Sequence, residues 1–251
     1  MQKKTLTTIF VSLGILGVIG YVVFAAFLFS LNEKNVRCKN LDIRVSGKVK
    51  MLTKEEISEI IQKKGIHPVG MPLSAIRTDR IEKGLLKNDM IREAFCYHDP
   101  RGNVNLLVRL REPKYMILGS KNFYVDTDRK LFPVSMNQLA YVPVVTGVVT
   151  RGFAKNELYN FVDFISAHPF WNDQIEQIHV RAQDKVELVP RVGDAIILMG
   201  SLDNFEDKLL RVERLYRKAF SEMGWNRYVL LDLRYDNQLV AVKRKQSKGE
   251  I

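Results

Sequence analysis

Residues 91–113, IREAFCYHDPRGNVNLLVRLREP, decide how the first half of the chain folds. Val104, Leu106, Val108 and Leu110 alternate with Asn105, Leu107 and Arg109, and a period of two places one set on a single face of a strand. Residues 90–98 read as the strand before it, with Asp99-Pro100-Arg101-Gly102 as the turn between them. Pro113 closes the run because it has no N–H to offer a ladder. Two strands alone are marginal in water, so this hairpin needs partners from elsewhere in the chain.

Those partners lie upstream. Thr53 followed by Glu56 is a capping box, with Leu52 and Ile57 placed as a hydrophobic staple. Ile57, Ile60 and Ile61 form the buried stripe of that helix, and Lys63, Lys64 and Gly65 end it. Pro68, Gly70 and Pro72 mark a loop, and a weaker helix over 73–85 follows, with Ile76, Ile81 and Leu85 on its apolar side. Residues 36–45 alternate as a strand with Leu41, Ile43 and Val45 inward. The order is strand, helix, helix, strand, strand.

Still further upstream, residues 9–31 carry no charge, and as a helix of about 1.5 Å per residue they reach ~34 Å, enough to cross a ~30 Å hydrocarbon core. A core helix would show a polar face, which this run lacks, and a cleaved signal would have a shorter apolar region and a small-x-small exit. The run reads as an uncleaved anchor behind a short tail, residues 1–8. Lys3 and Lys4 lie before it, and Lys34, Arg37, Lys39 and Arg44 after it, so the charges alone favour neither orientation. A short cytosolic tail with a large exported domain is the commoner plan. Residues 32–35 separate the span from the first strand and reach ~13 Å, which holds the first domain near the membrane surface.

About 220 residues follow the span, enough for one large or two small domains with real cores. Beyond residue 113 short strands dominate. Residues 115–118 and 122–125, the turn Asp126-Thr127-Asp128-Arg129 and residues 130–134 make a hairpin. Calcium spacing is absent from that turn. Residues 142–149 form another strand with Pro143 at its head, and Leu158, Phe161, Val162 and Ile165 have helical spacing up to His168-Pro169. Strands over 174–180, 185–190 and 195–199 precede a long helix, expected to be capped by Asp203 with Glu206, striped by Phe205, Leu209, Val212, Leu215, Ala219 and Met223, and ended by Gly224. Residues 228–243 carry the densest strand signal: Val229, Leu231, Leu233 and Tyr235 face one way, and the run resumes after Asp236-Asn237.

The composition is 46% hydrophobic, and the net charge of +11 is spread over both domains. Such a charge on an exported domain favours anionic headgroups, acidic wall polymers or acidic partners; a solvated basic surface explains it equally well. No pattern of nucleic-acid recognition is present. Cys38 and Cys96 are not in metal spacing. An oxidising compartment permits one disulfide between them if their strands lie close, and two separate buried thiols is the alternative.

No catalytic template is visible. His67, His98, His168 and His179 lack metal spacing, no serine sits in a nucleophile elbow, and Asp232 and Asp236 beside Arg234 read as exposed strand residues. The expectation is a protein that is not an enzyme and uses no cofactor or metal.

Several stretches in order resemble the bacterial cell-division family FtsQ/DivIB. Ile91 to Cys96, Pro100, the strand over 104–110 and Arg111-Glu112-Pro113 look like the end of that family's POTRA module and its exit. Phe123-Tyr124-Val125-Asp126 with Leu131-Phe132-Pro133 is similar to the opening hairpin of its β-domain, Pro143 to Gly147 to its proline-to-TG strand, and Leu230 to Tyr235 to its C-terminal signature. The family's hairpin turn usually holds a glycine where this chain has Arg129, and small residues are common where it has Asn237-Gln238.

The resemblance implies a single-pass anchor followed by α+β: a POTRA-like β-α-α-β-β domain over 36–112, then a strand-rich α/β domain with a mostly antiparallel sheet over 113–245; composition alone gives a disordered tail over 246–251. It implies a non-enzymatic divisome scaffold of the inner (cytoplasmic) membrane at the septum, its N-terminus cytoplasmic and both domains outside. Its partners would be FtsB/DivIC-like and FtsL-like bitopic proteins, and through them the septal peptidoglycan synthase. In the family the last strand takes a partner strand by edge augmentation, which points to Tyr235, Asn237, Gln238, Leu239, Val240, Ala241 and Val242 as the partner edge. The competing reading is a POTRA-containing export or assembly factor binding client peptides by strand augmentation; several POTRA units or a barrel are usual there, and this chain has neither.

Overall fold

The hairpin of residues 91–110 is the middle and one edge of a three-stranded sheet. β2 (Ile91–His98) runs antiparallel to β3 (Asn103–Leu110), and β1 (Asn40–Ser46) lies parallel to β3 on its other side. The inward residues of β3, Val104, Leu106, Val108 and Leu110, are each exposed by 1% or less. Helix α2 (Lys54–Lys63) packs on β1, and α3 (Thr78–Leu85) packs on β2 and α2. They bury Ile57, Ile61, Ile81 and Leu85. The capping box at Thr53 is formed: Glu56 N–H donates to Thr53 Oγ1 at 3.2 Å, and Thr53 N–H donates to Glu56 Oε2 at 2.8 Å. Gly65 follows the helix at φ +64°, the left-handed conformation that glycine adopts without steric cost.

These are coordinates of a computed structural model that describes residues 14–27, 36–134, 139–183, 185–220 and 227–244. The chain divides into two compact units, Met1–Gly47 with Leu52–Leu110, and Lys48–Met51 with Arg111–Ile251. Within the expected span, residues 14–27 form helix α1, exposed throughout; the rest of 9–31 lies outside the described residues, as do the tail over 1–8, the connector over 32–35 and the C-terminal tail. Among the described residues no helix is long and apolar enough to cross a membrane.

The weaker helix expected over 73–85 is broken. A 3-10 turn (Leu73–Ala75) is followed by extended backbone at Ile76, and α3 begins only at Thr78. Ile76 and Ile81 are both buried but lie five residues apart, ~140° out of phase on a continuous helix. The break lets both side chains reach the core.

The second unit is built on one nine-stranded sheet. Its strands in chain order are β4 (Pro113–Leu118), β5 (Phe123–Asp126), β6 (Leu131–Pro133), β7 (Val144–Gly147), β8 (Ile175–Ala182), β9 (Lys185–Pro190), β10 (Ile196–Gly200), β11 (Tyr228–Asp232) and β12 (Val240–Lys243). Across the sheet they lie β12-β11-β10-β9-β8-β7-β4-β5-β6. The β4/β7, β7/β8 and β10/β11 pairs are parallel and the other five antiparallel, so the sheet is mixed with an antiparallel majority.

Helices α4 (Arg151–Lys155), α5 (Glu157–Ala167), α6 (Pro169–Gln174) and α7 (Phe205–Leu215) complete this unit. Leu158, Phe161, Val162 and Ile165 of α5, Trp171 of α6 and Leu209 and Val212 of α7 join Tyr115, Val145, Ile178, Leu188, Ile197 and Leu231 of the sheet in one core. Pro169 ends α5 as expected and also opens α6, where its missing N–H costs nothing.

Asp203 does not cap α7. It accepts a hydrogen bond from Ser201 Oγ at 2.8 Å, while Asn204, at φ +50°, precedes the helix without a side-chain cap. The left-handed residue turns the chain before the helix starts, so the spacing of a capping box is present without its geometry. After Leu215 the helix widens into a π segment, Tyr216–Phe220, which holds Ala219; Met223 and Gly224 lie outside the described residues.

Candidate partner-binding edge

One edge of the nine-stranded sheet is β12. It pairs antiparallel with β11, with Ala241 across from Leu231, Val240 from Asp232 and Val242 from Leu230. On its other side no strand lies beside it among the described residues. Successive side chains of a strand point to opposite faces, and here Leu239 and Ala241 pack against the core while Val240 and Val242 remain 42% and 43% exposed. Two apolar side chains therefore flank a row of open backbone groups.

The face that Val240 and Val242 share continues inward. Leu230 lies across from Ile196, and Asp232 from Leu198, so Leu230, Ile196 and Leu198 extend an apolar strip from the edge. All three are partly exposed. The doubled leucines at 230 and 231 conceal this in the sequence, because either one satisfies an inward position.

The expected phase of β11 is also shifted. Tyr228 and Leu231 are both buried although three residues apart, because a bulge falls between Tyr228 and Leu230. One extra residue reverses the alternation, so Val229 does not share the inward face of Leu231 and Leu233.

Asp232, expected to be exposed, is buried at 5% exposure. It accepts hydrogen bonds from Arg234 N at 3.1 Å, Arg234 Nε at 2.9 Å and Arg234 Nη2 at 2.6 Å. Those bonds hold its carboxyl below the ordinary carboxylate range. The stem of Arg234 passes over Gly200, at φ +69°, where a Cβ would come within 2.9 Å of Arg234 Cγ. Asp232, Arg234 and Gly200 thus form a clamp at the exit of β11 that the sequence did not reveal.

Tyr235, Asn237 and Gln238 belong to the turn between the two strands, not to the edge strand itself. Asn237 is left-handed at φ +55°, Gln238 N–H points to Tyr235 C=O at 3.4 Å, and Tyr235 is 54% exposed. Of the seven residues expected at the edge, Leu239 to Val242 carry the strand and its approach, and the other three form its rim.

A family model described as FtsQ/DivIB, C-terminal related, matches residues 112–242, over half of the chain and the whole sheet up to Val242 in β12. The chain belongs to the FtsQ/DivIB family. A POTRA-like domain model matches residues 36–109, the three-stranded unit. No curated protein matches the chain. Together the two regions mark a division-associated protein bearing a POTRA-like domain.

Elsewhere several polar side chains of the chain make structural contacts. His179 Nδ1 lies 2.8 Å from Thr146 Oγ1, and His168 stacks on Phe164. Arg111 Nη1 and Asp126 Oδ2 form a buried pair at 2.7 Å. Among the described residues no group of three or more His, Cys, Asp or Glu is arranged to hold a metal ion. Cys38 and Cys96 are buried free thiols.

Proposed function

We propose that this chain is a membrane-anchored scaffold of the division machinery whose β12 edge accepts a strand from a small bitopic partner of the FtsB/DivIC or FtsL type. The reading places residues 9–31 across the cytoplasmic membrane and both folded units outside it, at the septum. By holding such partners the chain helps recruit and regulate the septal peptidoglycan synthase without a chemical step of its own. The observation that supports it is the open edge: β12 has a strand on one side only, and its outward N–H and C=O groups are the template that strand addition uses. Val240 and Val242 supply the side-chain contacts, since a strand of only four residues gives few backbone bonds. Lys243 extends the edge with an exposed cation suited to an acidic flank on the partner, whereas Arg244 is paired with Asp194.

The test is capture of a partner ectodomain by the full chain. Val240→Glu with Val242→Glu is expected to reduce capture at least ~10-fold, as for loss of the central contacts of an interface. The circular dichroism spectrum should stay unchanged, with at most a small fall in melting temperature, because both side chains are partly exposed while a glutamate at 240 stands across from Asp232. Leu239 packs against the core, so a charge there would confound folding with binding. Undiminished capture by the double variant would remove the edge from the proposal.

A further inference from the structure

The POTRA-like unit carries a groove that partner capture does not use. A depression of about 450 Å³ is lined by Lys64, Arg77, Arg80, Lys83 and Lys87, with Asp79 as its one carboxylate. Four of these cations, from Arg77 at the N-cap of α3 to Lys87 beyond its end, recur every three or four residues and so stand on one side of the helix. Lys64, at the C-terminus of α2, adds the fifth from across the groove. Asp79 is shared by Arg77 at 3.3 Å and Lys83 at 3.9 Å. The structure gives Lys64, Arg80 and Lys87 no carboxylate partner among the described residues. Between the two walls lies Gly84, where a Cβ would meet Ile66 Cδ1 at 2.6 Å, so the glycine lets the Ile66 side chain pack closely against α3. A glycine inside a helix is otherwise unfavourable.

With one carboxylate among five cations lining the groove, an anion between them relieves their mutual repulsion, and a phosphate group fits both the charge and the donors. The groove also lies beside the point where the chain enters this unit. Leu73 N–H donates to Val36 C=O at 2.9 Å, and Cys38 N–H to Met71 C=O at 2.8 Å. Arg77 is four residues beyond Leu73, hence within ~14 Å along the chain. We infer that this groove binds the anionic phospholipid headgroups of the membrane that anchors the chain, holding the POTRA-like unit against the bilayer. The inference rests on the reading of residues 9–31 as a span, since residues 32–35 then tether Val36 within ~13 Å of the hydrocarbon boundary.

The experiment uses the full chain in nanodiscs of phosphatidylcholine alone or with phosphatidylglycerol. A fluorophore on Ser74→Cys, an exposed position between Leu73 and Arg77, reports quenching by headgroup-labelled lipid. The expected result is quenching about twofold stronger with phosphatidylglycerol, abolished by salt at about 0.5 M, as for an exposed electrostatic contact. Arg80→Glu with Lys83→Glu should remove the difference, and Arg80→Gln with Lys83→Gln should reduce it, both with unchanged melting temperature. Equal quenching in the two lipids, or insensitivity to both variants, overturns the inference. Displacement by inorganic polyphosphate without any preference for phosphatidylglycerol would assign the groove to a soluble polyanion and also overturns it. Extraction by alkaline carbonate reports the span separately: a chain washed from vesicles defeats the anchor, whereas a carbonate-resistant chain without the lipid preference defeats only the groove.

Discussion

At the scale of single residues, Cys96 shows how burial becomes a pH dependence. Its thiol is pushed up to about 11 from 9.0, chiefly by burial, then by the Glu82 carboxylate and by Cys38. A thiol with a raised folded-state pKa favours folding while it remains protonated. That contribution is intact below pH 9.0 and is lost as pH climbs through about 11. The loss amounts to about 2–3 kcal/mol. Urea melts between pH 8 and 11 should show it, and Cys96→Ala should flatten that slope. Because both cysteines are free, adding reductant should leave the melting temperature unchanged; a drop would reveal a disulfide. Neither thiol's state was legible from spacing, since Cys38 precedes β1 and Cys96 lies in β2, positions that only the tertiary fold relates. Arg129 was half legible: its turn is plain from Asp126 to Asp128, yet an arginine at φ +61° is unusual there. The compensation is tertiary: its guanidinium bonds Lys155 C=O at 2.9 Å and Asn160 Oδ1 at 2.7 Å, and lies 4.3 Å from the Tyr159 ring centre. No local pattern records such contacts.

At the scale of elements, period and turn chemistry were readable wherever one face of an element is buried and the other is wet. β3 and α2 are such elements, and both appear as their sequences indicate. Legibility failed where tertiary packing overrides phase: the break at Ile76, the bulge before Leu230 and the left-handed turn at Asn204 each insert a step that periodicity cannot register. For the same reason the sequence signalled a strand ending near Val242, but the division of residues 235–242 into turn and strand and the clamp at Asp232 were not legible. The pairing of β7 with β8 shows how strict such packing is. Gly147 stands at φ +100° opposite Val180, and a Cβ there would fall 2.1 Å from Val180 O. Gly147→Ala is therefore expected to destabilise the second unit by at least ~2 kcal/mol, through backbone strain and overpacking together. Gly152→Ala in α4 meets no neighbouring atom and should stabilise by about 0.5–1 kcal/mol. Urea unfolding of the two variants checks the contrast; comparable midpoints would show that β7 and β8 separate more easily than the geometry allows.

At the scale of the whole molecule, the division of labour follows from where ionisable and open groups are found. The described helix of the expected span, residues 14–27, carries no side chain charged at neutral pH, and a Cβ added at Gly14, Gly17 or Gly20 would meet nothing within 4 Å. Charged groups inside a span are the usual mark of a pathway, and under the proposed reading of residues 9–31 as a span their lack of charge fits a tether. If residues 9–31 serve only as a tether they are replaceable, whereas the proposed edge is not. Exchange of residues 9–31 for an unrelated single-pass segment of equal length should therefore preserve septal localisation and partner capture in cells depleted of the native chain. The same exchange combined with Val240→Glu and Val242→Glu should abolish both. Fluorescence microscopy of tagged chains separates the outcomes. If the exchanged chain disperses over the envelope while still capturing its partner ectodomain in vitro, the helix itself carries a recruiting contact and the tether reading fails. If it localises but no longer captures, the strand edge depends on the native segment, and the independence of anchor and edge fails instead.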